Sequence, residues 1–148
     1  MSERFAAVSG RRVVSRTSAE ELGKLAHIVI DGKRRQVTSL VVGTGRKALL
    51  IAWDQVSGFG PDAVMIADET ALHEPRDDRE HAAANGKLEL VGNRTLSDTG
   101  NDLGTVTDIV FDPDTGAIES ILVDDREAPA ASLLGAGSFA VIVREPTE

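Results

Sequence analysis

An all-β fold, built as two tandem small barrels joined by a linker with one short helix, is the class this 148-residue chain predicts. Three observations lead there. Shifting the chain by 81 residues lays EELGKLAHIVIDGKRRQVTSLVV, residues 20–42, on NDLGTVTDIVFDPDTGAIESILV, residues 101–123, without a gap, and seven of the 23 positions are identical. Short runs rich in Val, Ile and Leu alternate with Gly, Asp and basic residues at the spacing of a small barrel or sandwich. No long segment carries the apolar period of an amphipathic helix.

Along the chain, the first copy opens with GRRVVSRT, residues 10–17, which GNRTLSDT, residues 92–99, matches. The Leu22-Gly23 pair, repeated as Leu103-Gly104, follows a polar turn, where glycine supplies a positive φ or a bend at a barrel corner. HIVI and VTSLVV then read as two strands, so residues 20–42 and 101–123 are expected to superpose as equivalent antiparallel hairpins. Their near-continuous apolar character fits strands covered on much of both faces, as in a small sheet curled onto itself. ALLIAW ends in Trp53, expected in the core with its ring packed and its indole N–H on a carbonyl. GFGPDAVMI, residues 58–66, is matched by GAGSFAVIV, residues 135–143. Between the copies, HEPRDDREHAAANG opens on proline and charge and closes on an alanine run before Asn85-Gly86, a linker with one short helix that Gly86 ends. The expected divisions are a first barrel at 1–72, a linker at 73–86 and a second barrel at 87–148.

The stretch DPDTG, residues 112–116, has a spacing that invites a calcium loop, and the repeat decides against it. Its counterpart is Asp31-Gly32-Lys33-Arg34-Arg35, and cationic side chains do not ligate calcium. Counting from Asp112 also puts Ala117 where such a loop wants glycine and Val123 where it wants a bidentate glutamate. A hairpin turn needs only an Asp to cap it, a Pro to fix φ and Gly116 in the left-handed position.

The pattern G-x-x-V-V-S, then E-L-G-K-L-x-x-I-V-I-D, a polar turn, V-T-S-L-V-V, and above all IAWDQVSGFGPDAVMI resembles the PRC-barrel domain over nearly the whole chain. In the first copy Trp53, Asp54, Gln55 and Val56, with Gly60, Asp62, Ala63 and Val64, match the family's end-of-barrel signature. The second copy departs from it, having no Trp-Asp and a shorter connection. The family includes the cytoplasmic domain of the photosynthetic reaction-centre H subunit and the C-terminal domain of a ribosome-maturation factor. The resemblance therefore implies two tandem PRC-type barrels and protein docking rather than catalysis.

Composition narrows the chemistry. The absence of cysteine removes disulfides, thiolate zinc sites and cysteine nucleophiles, and fits a reducing compartment. MSERFAAVSGRR lacks the apolar run of a signal peptide, and no segment approaches the roughly 20 apolar residues of a membrane span, so a cytoplasmic location is expected. His27, His73 and His81 share no ligand spacing, and His27 aligns with Asp108, which suits a polar, outward-facing strand position. Ser15 matches Ser97 and Ser39 matches Ser120, with no repeated base to activate them. No phosphate loop is present, since GTGRK opens no helix. No catalytic residue, cofactor, metal or small-molecule substrate is expected.

Two features could carry function. Residues 1–72 hold 10 Lys/Arg against 8 Asp/Glu, and residues 73–148 hold 6 against 16, so the halves carry +2 and −10. Lys33, Arg34 and Arg35 on one turn, with Arg46 and Lys47 on the next connection, would make a five-cation partner-binding patch if the two loops meet at one end of the barrel. Near-absence of aromatics and the net charge of −8 argue against nucleic acid. The expected structural positions are Leu22, Gly23, Trp53, Gly60, Leu103, Gly104 and Gly116. The function expected is a non-catalytic cytoplasmic adaptor or assembly module whose partner is another protein or a second copy, with peripheral association with a membrane complex left open. The alternative is an accessory factor in ribosome or RNP assembly that binds through the basic loops.

Overall fold

The computed structural model describes residues 2–145. In chain order run β1 (Glu3–Arg4), the one-turn helix α1 (Phe5–Val8), β2 (Arg12–Ser15), β3 (Glu21–Asp31), β4 (Gln36–Val42), β5 (Leu49–Ala52), β6 (Val56–Phe59), β7 (Val64–Ile66), helix α2 (Asp78–Ala84), β8 (Arg94–Ser97), β9 (Asp102–Phe111), β10 (Ile118–Val123), β11 (Arg126–Pro129), β12 (Leu133–Ala136) and β13 (Val141–Val143). Two sheets of the same topology result, ordered β5-β4-β3-β2-β7-β6 and β11-β10-β9-β8-β13-β12, with β1 added to β9. Each sheet has one parallel pair, β2 with β7 and β8 with β13. The two tandem all-β barrels expected from the repeat are the fold.

The repeated hairpins match residue for residue. Ile28 faces Leu40 and Ile30 faces Val37 in the first copy, as Ile109 faces Ile121 and Phe111 faces Ile118 in the second. Register shifts fall at equivalent places, leaving Thr38 and Glu119 as extra residues. Such bulges increase strand twist and let a short sheet curl. Further shifts bypass Leu22 and Leu103, beside Gly23 at φ 150° and Gly104 at φ 119°. The Leu-Gly pair is thus the barrel-corner device the sequence suggested.

The hairpin turns close by one mechanism. Asp31 Oδ1 accepts the amides of Lys33 and Arg34 at 2.9 and 3.1 Å, and Asp112 Oδ1 accepts that of Asp114 at 2.8 Å. The Asp31 carboxyl is held below its ordinary value chiefly by the Arg34 amide. Arg35 and Gly116 both take left-handed backbone, at φ 56° and 77°.

The copies differ in the connection that follows each hairpin. Val42 reaches β5 through residues 43–48, which include a 3-10 turn at Gly45–Lys47, whereas Val123 reaches β11 through Asp124 and Asp125 alone, both at positive φ. That compact two-residue link suits the twist of its strands. Its Asp124 carboxylate also accepts the Thr105 amide at 3.1 Å, so this acidic pair is structural as well as solvated.

Helix α2 is capped at both ends. Asp77 Oδ1 accepts the Glu80 amide at 2.8 Å. Gly86, at φ 78°, lets its own amide and that of Lys87 bond back to Ala83 and Ala82. Ala83 and Ala84 then pack on Val29, Val41, Ala48 and Leu50 of the first sheet. The N-terminal segment crosses to the other copy: Glu3 and Arg4 pair with Phe111 and Val110, and Phe5 and Val8 are buried. One hydrophobic cluster runs through both barrels, from Val13, Leu25 and Leu40 to Ile109, Phe111 and Ile121. Among the described residues no helix is long and apolar enough to cross a membrane.

Candidate interaction surfaces

The seam between the barrels is built by equivalent residues. The Val37 amide donates to the Gly116 carbonyl and the Ile118 amide to the Arg35 carbonyl, both at 2.8 Å, around the bridge of Gln36 with Ala117. In the 81-residue equivalence, 35, 36 and 37 correspond to 116, 117 and 118, so the bridge sits on a local pseudo-two-fold axis. The side chains around it break the symmetry. Trp53 presses against Gly116, where an added Cβ would lie 2.8 Å from its ring, and meets Phe59 and Phe111 at centroid distances of 5.8 and 6.4 Å. At the counterpart corner stand the small Ala130 and the long Arg35, whose guanidinium donates to the carbonyls of Leu133 at 3.1 Å and Ala131 at 3.0 Å. Gly32 is clamped there too, since a Cβ on it would come within 2.6 Å of the Ala136 amide nitrogen.

Several site expectations change against this geometry. Trp53 is half-buried at the seam rather than inside one barrel, because its 3-10 turn, Trp53–Gln55, carries it out of β5 toward the other copy. Among the described residues its indole N–H makes no hydrogen bond; that edge lies against Gly116. The five-cation patch does not form. Residues 33–35 precede β4 and Arg46 and Lys47 follow it, so a seven-residue strand, about 23 Å at the usual rise, separates them. Arg35 is spent on the seam, while Lys33 and the Arg34 side chain, 80% exposed and 3.8 Å from Asp31, lie in solvent. Gly60 has ordinary backbone and room for a methyl group; its carbonyl, however, receives Arg11 Nη1 at 2.6 Å. Arg11 also reaches Glu3 at 2.7 Å and covers the Phe59 ring at 5.5 Å, tying β1 to the first barrel.

The histidine at position 27 is not an outward-facing strand residue. His27 is half-buried with Nδ1 2.8 Å from Glu89, off the line of a hydrogen bond, and its ring lies beside Gly86. Its counterpart Asp108 is buried and accepts the Ala6 amide at 3.0 Å. Equivalent positions thus anchor the segment that leads into β8 and the one that leads into β2. His73 exchanges two backbone hydrogen bonds with Leu50 and its Nε2 sits 3.0 Å from Glu80. Burial raises the Glu80 pKa, but His73 and the Arg76 amide outweigh it and hold the group below its ordinary value. Ser15 and Ser97 each accept a backbone amide, from Ser18 at 3.1 Å and Asn101 at 3.0 Å. No group of three or more His, Cys, Asp or Glu side chains among the described residues is placed to hold a metal.

The sequence reading missed a largely apolar cleft of about 650 Å³ on the second barrel, where Leu103, Val123, Ala128 and Val143 are flanked by the charged Asp102, Arg126, Glu127, Arg144 and Glu145. On the first barrel the matching place is covered by the chain itself: after β7 comes a 3-10 turn, Glu69–Ala71, and Ala71 and Leu72 pack against the core before His73 bridges to Leu50. The available signal lay in the repeat, whose matched segments end at Ile66 and Val143 while IADETALHEP continues the first copy.

A family model described as PRC-barrel domain matches residues 2–72 and 89–142. The chain belongs to the PRC-barrel family. The two matched PRC-barrel segments are the two copies, and helix α2 of the linker lies between them. None of the curated proteins compared with this PRC-barrel chain matches it.

Proposed function

We propose that this PRC-barrel protein is a non-catalytic interaction module that serves as an adaptor or assembly factor in the cytoplasm. The reading rests on what the polar side chains do. Of the groups best suited to acid–base or nucleophilic work, Ser15, Ser97 and Asp108 each accept a backbone amide of the fold, and His27 and His73 lie against Glu89 and Glu80. A continuous core across both barrels, with a hydrogen-bonded seam, makes a rigid body that can hold two partner surfaces at fixed geometry. The ribosome- or RNP-assembly alternative has less support, because its five cations are divided between the seam and two separate loops.

In-cell cross-linking followed by affinity purification tests the reading. The expected result is a stoichiometric protein complex unaffected by ribonuclease. Association with ribosomal particles that ribonuclease abolishes would favour the alternative, and recovery of the protein alone at every cross-linker dose would sink the adaptor reading.

A further inference from the structure

The geometry points to the second-barrel cleft as a docking groove for an extended segment of a partner protein, one that places a small and then a large apolar side chain on its floor and pairs its next residue with Glu127. This inference rests on the interaction reading above and supplies its site.

The first barrel shows what such a groove accepts. There the Leu50 amide donates to the His73 carbonyl at 2.8 Å and the His73 amide to the Leu50 carbonyl at 2.9 Å, while Ala71 and Leu72 lie on the core. Val41 pairs with Leu50 as Leu122 pairs with Glu127, so Glu127 is the counterpart of Leu50. In a two-residue hairpin the residues flanking the turn, Val123 and Arg126, form the hydrogen-bonded pair, which makes Leu122 with Glu127 a non-bonded one. The amide and carbonyl of Glu127 therefore point away from β10, and among the described residues no backbone group meets them. An open strand edge beside an apolar floor is the arrangement that strand-adding peptides use, with backbone pairing for affinity and side-chain pockets for specificity. The floor is preformed, since Val123 and Val143 are already held in the barrel core.

The test is an NMR titration of the full chain with the synthetic peptide IADETALHEP, its own residues 66–75. Saturable shifts are expected at the amides of Leu103, Val123, Glu127 and Val143. A peptide N-methylated at its histidine cannot donate to the Glu127 carbonyl and should bind about tenfold more weakly, the worth of one good hydrogen bond. Glu127→Pro removes the outward amide at an edge position that tolerates proline and should weaken binding by a similar factor, whereas Glu127→Ala should change it less than about twofold. Equal binding of parent and N-methylated peptides would overturn the proposal whether or not the proline variant folds. Shifts confined to the first barrel would overturn the site. A concentration-dependent dimer lost in Glu127→Pro would give the groove to a second copy, and tighter peptide binding after removal of residues 146–148 would give it to the chain's own last residues; either overturns the partner assignment. A native complex that survives Glu127→Pro would sink the groove yet leave the interaction reading standing, whereas the absence of any native complex would sink that reading itself.

Discussion

The turn at residues 32–35 and the turn at 113–116 make the same backbone hydrogen bonds with no side chain in common. Each is capped by its Asp, and each ends in a left-handed residue whose carbonyl accepts across the seam. In the second copy that residue is Gly116, which leaves room for the Trp53 ring; in the first it is Arg35, which reaches over the small Ala130 corner. Large packs against small on both sides of the axis, with the sizes exchanged. The comparison teaches that the duplicated backbone sets the seam, and that the side chains around it diverged as complementary pairs.

The strongest way to break that complementarity is Gly116→Arg. The new Cβ would lie within 2.5 to 2.9 Å of Gln36 and Trp53, and a loss of about 4 kcal/mol is expected by urea unfolding. Adding Trp53→Ala should recover at least about 1 kcal/mol relative to the sum of the single changes, because the two sites share one space; strict additivity would show that the pair is not complementary. Phe111→Ala, removing a fully buried ring, should cost about 3–5 kcal/mol. Trp53→Ala should cost less, about 2–3 kcal/mol, because its ring is half-buried.

The same turn offers a sharper contrast between neighbours. Arg35→Ala abandons two carbonyls and should lose about 1–3 kcal/mol, while Arg34→Ala, at an exposed ion pair, should stay within about 0.5 kcal/mol. Equal thermal unfolding of the two variants would remove Arg35 from the seam.

The smallest expected effect is local to the linker. Because the folded protein holds Glu80 below its ordinary value of 4.5, its contribution is present above that pH and is lost as pH falls through the depressed value. Asp31, Asp68 and Glu145 are also held low, so global unfolding would mix all four groups. Amide shifts in α2 followed by NMR should report the loosening between His73 and Glu80, and Glu80→Gln should flatten that response. An unchanged profile in the variant would assign the response elsewhere.

Much of the fold was legible because its causes are local. The alignment of 20–42 with 101–123 carried the hairpin register, Asp31 and Asp112 carried the turns, and Gly86 carried the end of α2. The seam was not legible for the opposite reason. Arg35 finds its carbonyls 98 and 96 residues away, and nothing in a run of three cations distinguishes the one that will be spent internally. Trp53 likewise reads as core by composition, while only the topology of β5 and its following turn decides which core it joins. The cleft was hidden because it is a difference between copies, and the search for likeness passes over the segment after Ile66.

The pairing of Glu3 with Phe111 has a consequence for how the chain acquires its shape. Contacts across so long a stretch of sequence form late, since the intervening chain must first be ordered. During synthesis Glu3 and Arg4 must wait, uncommitted, until β9 has emerged, and the buried Phe5 and Val8 wait with them. The order of assembly is thus inverted relative to the order of translation at this edge, since β1 docks only once the much later β9 is available.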